Sequence, residues 1–335
     1  MMSRPWLLVP AVLIAMTIGI ATSIWLSGKD PLHALALFPP WVIPMGLLMI
    51  VLCWNINALR YRLLLAAQGI HRQHRVNLGI VMATEFGYVA TPFGSGGPAT
   101  FLWLNRRHGV PVTTAGGVFA LDQMTDLLFF LSILPLILLG LIGLPGRFHW
   151  GSELAAMGVL LVLMLLGAGL SLRHYRPMLR STSQLLCALR LRGRWRQRFM
   201  RLFLRFRMAV IAGLNLPLRR LLALYALCAG HWLLRYGVLF MLVTALDQNT
   251  SLAYAFFVQL VSMGLGQVSF LPGGAGAVEL SFGVLLAPMV PAVYLGALLL
   301  AWRLITFYWY LLAGGIVFTA YFLIARRAET AASES

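Results

Sequence analysis

Residues 84–98 read TEFGYVATPFGSGGP, and residues 264–279 read GLGQVSFLPGGAGAVE. Each stretch interrupts an apolar region with proline, several glycines and one carboxylate, Glu85 in the first and Glu279 in the second. Proline and glycine at this density predict unwound backbone inside a membrane helix. Such backbone survives at membrane depth only where protein or a wet cavity covers it. Two breaks, one in each half of the chain, therefore indicate a transporter's binding site; the alternative is a pair of kinked helices.

The composition is that of an integral membrane protein. The 335 residues are 60% hydrophobic and 10% charged, with a net charge of +17. In a soluble protein this charge would suggest nucleic acid. Here the arginines fall mostly between apolar stretches, so they indicate topology and lipid contact. The three cysteines lack metal-ligand spacing, and we expect no disulfide framework, no metal site and no cofactor.

Apolar stretches long enough to cross a bilayer recur along the chain. We interpret the first stretch as a spanning helix; the alternative is a cleaved signal peptide, for which the apolar run is long. We predict six spanning helices, at residues 6–26, 41–59, 110–141, 154–172, 221–246 and 293–324. The predicted fold class is thus an all-α polytopic membrane protein in a single domain, residues 1–335, with a short tail at 326–335.

The two broken stretches fit re-entrant hairpins better than crossings. Basic residues flank the first, roughly residues 76–104, on both sides, including Arg60 and Arg75 before it and Arg106 and Arg107 after it. Both flanks therefore favour the cytoplasm. The second stretch, roughly residues 252–290, lacks basic flanks and fits a hairpin from the other side. Hairpins that enter from opposite faces are typical of inverted repeats, and both termini are expected in the cytoplasm.

Residues 173–220 carry 13 arginines and no acidic residue. Within this segment apolar and basic side chains recur together at helical spacing. We predict a cytoplasmic amphipathic helix that lies on anionic lipid headgroups; the alternative is a basic loop that only sets topology. The arginines expected to contact lipid are Arg194, Arg198, Arg201 and Arg205.

Several charged side chains fall inside apolar stretches. A charge at the bilayer centre costs about 2.5–3.5 kcal/mol on insertion scales. Each must therefore face a cavity, pair with another charge or be protonated. The candidate carboxylates are Glu85, Asp122, Asp126 and Glu279, and the candidate cations are Arg235 and Arg303; for each, the alternative is a structural ion pair. His231 fits a buried core histidine, and Arg235 equally fits a side chain that reaches the interface.

The glycines of both breaks can start short helices. A helix N-terminus at the midplane presents free N–H groups and a positive dipole, which suits phosphate or carboxylate. We expect the amides of residues 94–97 and 273–276 to hold such a group. The candidate backbone positions are Pro92, Gly94, Gly96, Gly97, Pro272, Gly273, Gly274 and Gly276.

Four ordered motifs carry a family resemblance. They are NALRYRLLLAAQGI at residues 57–70, TPFGSGGPATFLWLNRRHG at 91–109, LDQMTDLL at 121–128 and FLPGGAGAVELSFG at 270–283. Together they resemble the transmembrane region of the lysylphosphatidylglycerol synthase/flippase family, over roughly residues 6–324. The resemblance implies a bacterial inner-membrane protein with a flippase-like fold that moves an aminoacylated or other polar lipid. No soluble synthase domain follows within this sequence, so synthase activity is not supported.

We therefore expect a lipid transporter rather than an enzyme. In this interpretation the two hairpins meet near the midplane and hold a lipid headgroup, while the acyl chains stay in the bilayer. Two alternatives stay open: a secondary transporter of a small anionic solute, and an intramembrane enzyme that uses Asp122, Asp126 or Glu85 as acid or base. The sequence leaves the lipid, the coupling ion and the oligomeric state undetermined.

Overall fold

The computed structural model describes residues 35–142 and 216–334, with the isolated positions 17, 21, 22 and 201. Every regular element in these residues is helical, which confirms the predicted all-α class. In chain order the α-helices are α1 (Val42–Ala66), α2 (His74–Ala90), α3 (Gly96–Arg107), α4 (Val112–Ile142), α5 (Leu218–Thr244), α6 (Leu252–Val268), α7 (Ala277–Leu286), α8 (Ala292–Arg303) and α9 (Gly315–Glu334).

Four helical segments of the described residues are long and apolar enough to cross a membrane. They are Val42–Ala66, Val112–Leu141, Leu218–Thr244 and Ala292–Arg327, and they match four of the six predicted spans. The predicted spans at residues 6–26 and 154–172 lie outside the described residues, as does nearly all of the basic segment 173–220.

Each predicted break is a helical hairpin. The chain leaves α2, passes through a short 3-10 turn at Pro92–Gly94 and returns as α3 along α2. In the second half α6, the turn Pro272–Gly274 and α7 repeat this arrangement. A proline can begin each turn because that position needs no intrahelical N–H donor.

The two turns have nearly the same backbone conformation. In both, the residue after the proline is left-handed, with φ 55° and ψ 16° at Phe93 and φ 60° and ψ 15° at Gly273. The glycine that follows is left-handed in both turns, with φ 63° and 69°. Matching turns in hairpins from different halves of the chain support the predicted repeat.

The hairpins pack within a frame of longer helices. Helix α5 lies along α1, and α4 contacts α1, α3, α5 and α6. The last span changes its winding: α8 continues through two π-helical turns, Leu304–Tyr308 and Tyr310–Gly314, into α9. Here Gly314 lets the span approach α2, since a Cβ on it would lie 2.7 Å from a backbone carbonyl of α2. Such π turns are frequent at functional sites.

Candidate functional site

The tips of the two hairpins meet. The turns Pro92–Gly94 and Pro272–Gly274 contact each other, and the rings of Phe93 and Phe270 pack edge to face with centroids 5.1 Å apart. The hairpins thus face each other through the segments that the sequence marked as broken.

A cavity of about 310 Å³ lies beside the meeting point. Its walls come from both hairpins, from α1, α4 and α5, and from the π-helical part of the last span. The polar and charged side chains that line it are Asn57, Tyr61, Thr84, Glu85, Tyr88, Thr91, Asp122, Gln123, Asp126, His231, Arg235, Gln267, Arg303 and Thr306. A cavity so rich in charge among apolar helices is a candidate binding site.

One charge cluster joins α1 to α4. Arg60 Nη2 lies 2.8 Å from Asp122 Oδ1 and 2.7 Å from Asp126 Oδ1. The side chain of Arg60 is only 1% exposed, and its Nη1 donates to Asn57 Oδ1 at 3.0 Å. The expectation that Arg60 belongs to a basic cytoplasmic flank is therefore wrong. The apolar part of α1 extends past it to Ala66, so packing places it among the helices.

Asp126 has further donors from α5. Its Oδ1 accepts hydrogen bonds from Trp232 Nε1 at 3.0 Å and from Cys228 Sγ at 3.2 Å, in addition to Arg60. These three donors come from two other helices, Arg60 from α1 and the other two from α5. Asp126 therefore also holds α4 against α5 and α1.

A second pair crosses the cavity between α2 and α5. Arg235 Nη1 lies 3.4 Å from Glu85 Oε2, with the two side chains 16% and 12% exposed. The guanidinium of Arg235 also lies 5.0 Å from the ring centroid of Tyr310. Arg235 is thus turned inward to a carboxylate and an aromatic face, not outward to the membrane interface. His231, one turn earlier on the same helix, is buried, and its Nδ1 lies 3.3 Å from the carbonyl oxygen of Cys53.

A third pair fastens the second hairpin to the last span. Arg303 Nε donates to Glu279 Oε1 at 2.8 Å, and its Nη1 donates to the carbonyl oxygen of Gly273 at 3.0 Å. The other oxygen of Glu279 accepts the backbone N–H of Gly276 at 2.6 Å. Glu279 therefore caps α7 from within its own first turn, where a carboxylate also favours the helix dipole.

The backbone amides of the turns are mostly occupied. In the first turn Gly94 N–H, Ser95 N–H and Gly96 N–H donate to Thr91 O, Pro92 O and Thr91 Oγ1. In the second turn the amides at 274, 275 and 276 also have acceptors within the hairpin. The expectation that residues 94–97 and 273–276 present free amides to an anion is therefore wrong for these six positions. A tight turn satisfies its own donors because buried N–H groups left unpaired are costly.

The predicted site residues separate into two groups. Those that line the cavity are Glu85, Gly94, Asp122, Asp126, Gly273, Gly274 and Arg303. The others belong to the hairpins but are not among the residues that line it: Pro92, Gly96, Gly97, Pro272, Gly276 and Glu279. The first group can touch a ligand, and the second shapes the hairpins that carry it.

Two of the glycines make close packing possible. A Cβ on Gly97 would lie 2.5 Å from the ring of Tyr88, and a Cβ on Gly274 would lie 2.5 Å from Cα of Gly266. These glycines bring the two arms of each hairpin together. Both of these close contacts lie within a hairpin.

Arg60, Thr84 and Tyr88 are among the site residues that sequence reasoning missed. Thr84 and Tyr88 flank Glu85 on α2 and line the same cavity. The signal for Thr84 was its position one residue from a carboxylate inside an apolar stretch. For Arg60 it was a polar Asn57 one helical turn earlier, since residues three apart share a helix face.

Comparisons with known proteins agree with the resemblance. A family model described as the lysylphosphatidylglycerol synthase TM region matches residues 4–314. A protein of Archaeoglobus fulgidus described as a UPF0104 membrane protein is 26% identical over 269 residues, which cover 78% of this chain and 81% of that protein. The family match includes both hairpins and every side chain that lines the cavity.

Proposed function

Because the chain belongs to the lysylphosphatidylglycerol synthase transmembrane-region family, we propose that this multi-pass membrane protein is a lipid transporter of flippase type. It would move a polar or aminoacylated phospholipid, or another lipid-linked headgroup, between the two leaflets. It would act as a carrier rather than as an enzyme.

One observation carries the proposal: a charged cavity lies where two helical hairpins meet tip to tip among apolar helices. Charged side chains inside a membrane protein mark substrate and ion pathways. A polar headgroup needs such a path, whereas its acyl chains are already soluble in the bilayer. Charge in the wall and apolar surface outside it therefore match the two ends of a lipid.

The residues of the wall suggest how a headgroup would be held. Arg235 and Arg303 line the cavity and are suited to a phosphate. Glu85 and Asp122 are suited to hydroxyl or ammonium groups of the headgroup. Because each of these side chains is already paired, a headgroup would enter by exchanging partners with the pairs. The loosest pair, Glu85 with Arg235 at 3.4 Å, is the natural place for that exchange.

We further propose the bacterial inner membrane as the location, with both termini in the cytoplasm. In this arrangement the basic segment 173–220 lies on the inner leaflet against anionic headgroups. A peptide of residues 190–210 should then bind anionic vesicles in a salt-sensitive manner. Replacing four of its arginines by glutamine should weaken binding by about 1 kcal/mol per charge, and equal binding to neutral vesicles would contradict the proposal. The four are Arg194, Arg198, Arg201 and Arg205.

The decisive experiment is a leaflet-resolved lipid transport assay in proteoliposomes. Wild-type protein should equilibrate a fluorescent or radiolabelled phospholipid between leaflets faster than protein-free vesicles. Glu85→Gln should slow this transport while the protein still inserts. Asp247→Asn is the matched control, because Asp247 is exposed and lies outside the cavity.

The result also separates the alternative functions. Lipid movement without solute uptake or chemical change of the lipid supports the proposal. Uptake of a small anion without lipid movement would assign the cavity to a solute transporter. A chemically altered headgroup would assign it to an enzyme, and full lipid transport by Glu85→Gln would remove Glu85 from the site.

A further inference from the structure

The charges of the cavity region do not balance. Within the described residues, the ion pairs join four carboxylates to three guanidinium groups. Glu85 with Arg235 and Glu279 with Arg303 are one-to-one pairs. The surplus negative charge lies on the cluster in which Asp122 and Asp126 share Arg60. An uncompensated buried charge is costly, so the cluster favours binding one more positive charge.

Hydrogen-bond geometry decides which carboxylate carries the surplus. Arg60 Nη2 has two hydrogens. One is donated to Asp126 Oδ1 at 2.7 Å and the other to the backbone carbonyl oxygen of Asp122 at 3.2 Å. Asp122 Oδ1 therefore touches this nitrogen at 2.8 Å but receives no hydrogen from it. Asp126, by contrast, accepts from three donors, as described above.

Asp122 is thus the carboxylate with one oxygen, Oδ1, that receives no hydrogen, although the residue also has a side-chain hydrogen bond with Tyr61. The residue is 4% exposed, and its Oδ1 has no hydrogen-bond partner among the described residues. A second buried polar group of the cavity, the hydroxyl of Thr84, is also without a partner and is 3% exposed. A hydroxyl both donates and accepts, so it can pass a proton. Two unsatisfied groups on one cavity point to a ligand that each can bind.

We propose that Asp122 binds an exchangeable proton that the cavity takes up and releases during transport. The inference deepens the proposed function and rests on it for the coupling to lipid. In one state the carboxyl group of Asp122 is neutral and Asp126 alone pairs with Arg60. In the other state the proton has moved from Asp122 into the cavity, and Asp122 and Asp126 share the guanidinium of Arg60.

A proton fits the cluster better than a metal cation does. Hard cations need several oxygen ligands with free lone pairs. The groups closest to the two carboxylates present hydrogens instead: the guanidinium of Arg60, the indole N–H of Trp232 and the thiol of Cys228. A metal ion would face these hydrogens, whereas a proton needs only one oxygen of Asp122.

Other titratable and charged groups surround Asp122. Helix α6 contributes only Met263, Gly266 and Gln267 to this wall, and none of them titrates. Those that titrate or carry charge are Arg60 and Tyr61 of α1, Glu85 and Tyr88 of α2, Asp126 of α4, Cys228, His231 and Arg235 of α5, and Arg303 of α8. A test must therefore separate Asp122 from these neighbours.

Infrared spectroscopy of the purified full-length protein detects a protonated carboxyl group directly and needs no lipid substrate. Titration of the wild type should show the carbonyl stretch of a buried protonated carboxyl group, which disappears as the pH rises. Asp122→Asn should lack this band and still fold, because the amide mimics the neutral carboxyl group. Asp247→Asn should keep it. Persistence of the band in Asp122→Asn would overturn the proposal.

A second measurement tests coupling in proteoliposomes. A transmembrane pH gradient should change the initial rate of phospholipid transport by the wild type and by Asp247→Asn. In Asp122→Asn the rates with and without the gradient should be equal. Equal wild-type rates with and without the pH gradient would overturn the coupling. If Asp122→Asn lacks the infrared band but the wild type itself moves no lipid, the lipid function is overturned and the proton site stands.

Discussion

Replacing Arg303 by methionine should be among the most damaging single changes in the described part of the chain. Methionine keeps much of the length of the side chain and removes the charge. Arg303 is 2% exposed and Glu279 is 1% exposed, so neither can recruit bulk solvent in place of its partner. The change leaves Oε1 of Glu279 and the carbonyl oxygen of Gly273 without the donors that Arg303 supplies.

The size of the effect follows from that burial. Removing one partner of a buried ion pair costs about 3–5 kcal/mol, because the other charge stays buried without compensation. Neutralising the stranded partner should recover most of the loss. The double variant Arg303→Met/Glu279→Gln should therefore be more stable than Arg303→Met alone. Glutamine still offers an oxygen to the N–H of Gly276, so the cap of α7 is retained.

The assay is the free energy of unfolding in mixed detergent micelles for the two variants and the wild type. Arg75→Met is the matched control, since Arg75 is exposed and its Nε only reaches Gln73. It should change stability by less than about 1 kcal/mol, the range of surface pairs. A loss of that small size for Arg303→Met, or a double variant no more stable than the single one, would refute the reasoning.

Three further predictions concern the hairpins and the topology. In thermal unfolding, Gly97→Ala should lose about 1–3 kcal/mol of stability, because the new methyl group overpacks against the ring of Tyr88. The control Gly116→Ala, whose Cβ would meet its nearest neighbour at 3.9 Å, should be neutral or stabilising. Phe93→Gly should be more stable than Phe93→Ala by about 1 kcal/mol, because only glycine adopts φ 55° without strain; equal stabilities would show that the turn relaxes. A cysteine at Gln68 should react with an impermeant reagent only from the cytoplasmic side and one at Asp30 only from outside, and the reverse pattern would overturn the proposed orientation.

The two breaks show how much of the fold local chemistry specifies. Pro92 and Pro272 cannot donate to a helix, and the glycines beside them accept left-handed backbone, so both turns were predictable at the correct positions. The acceptors that the turn amides bind were not predictable in the same way. A side chain such as Thr91 or Glu279 becomes their acceptor only after the hairpin has closed.

The sequence by itself determined the helical class, four of the predicted spans within the described residues and the two hairpins. Each follows from the length of an apolar run or from proline and glycine, which act within a few residues of themselves. Tertiary structure alone decided the charge partners. Arg60 lies 62 residues from Asp122, and Glu85 lies 150 residues from Arg235. Helical periodicity gives the face on which a charge lies, but the packing of other helices selects the charge that faces it.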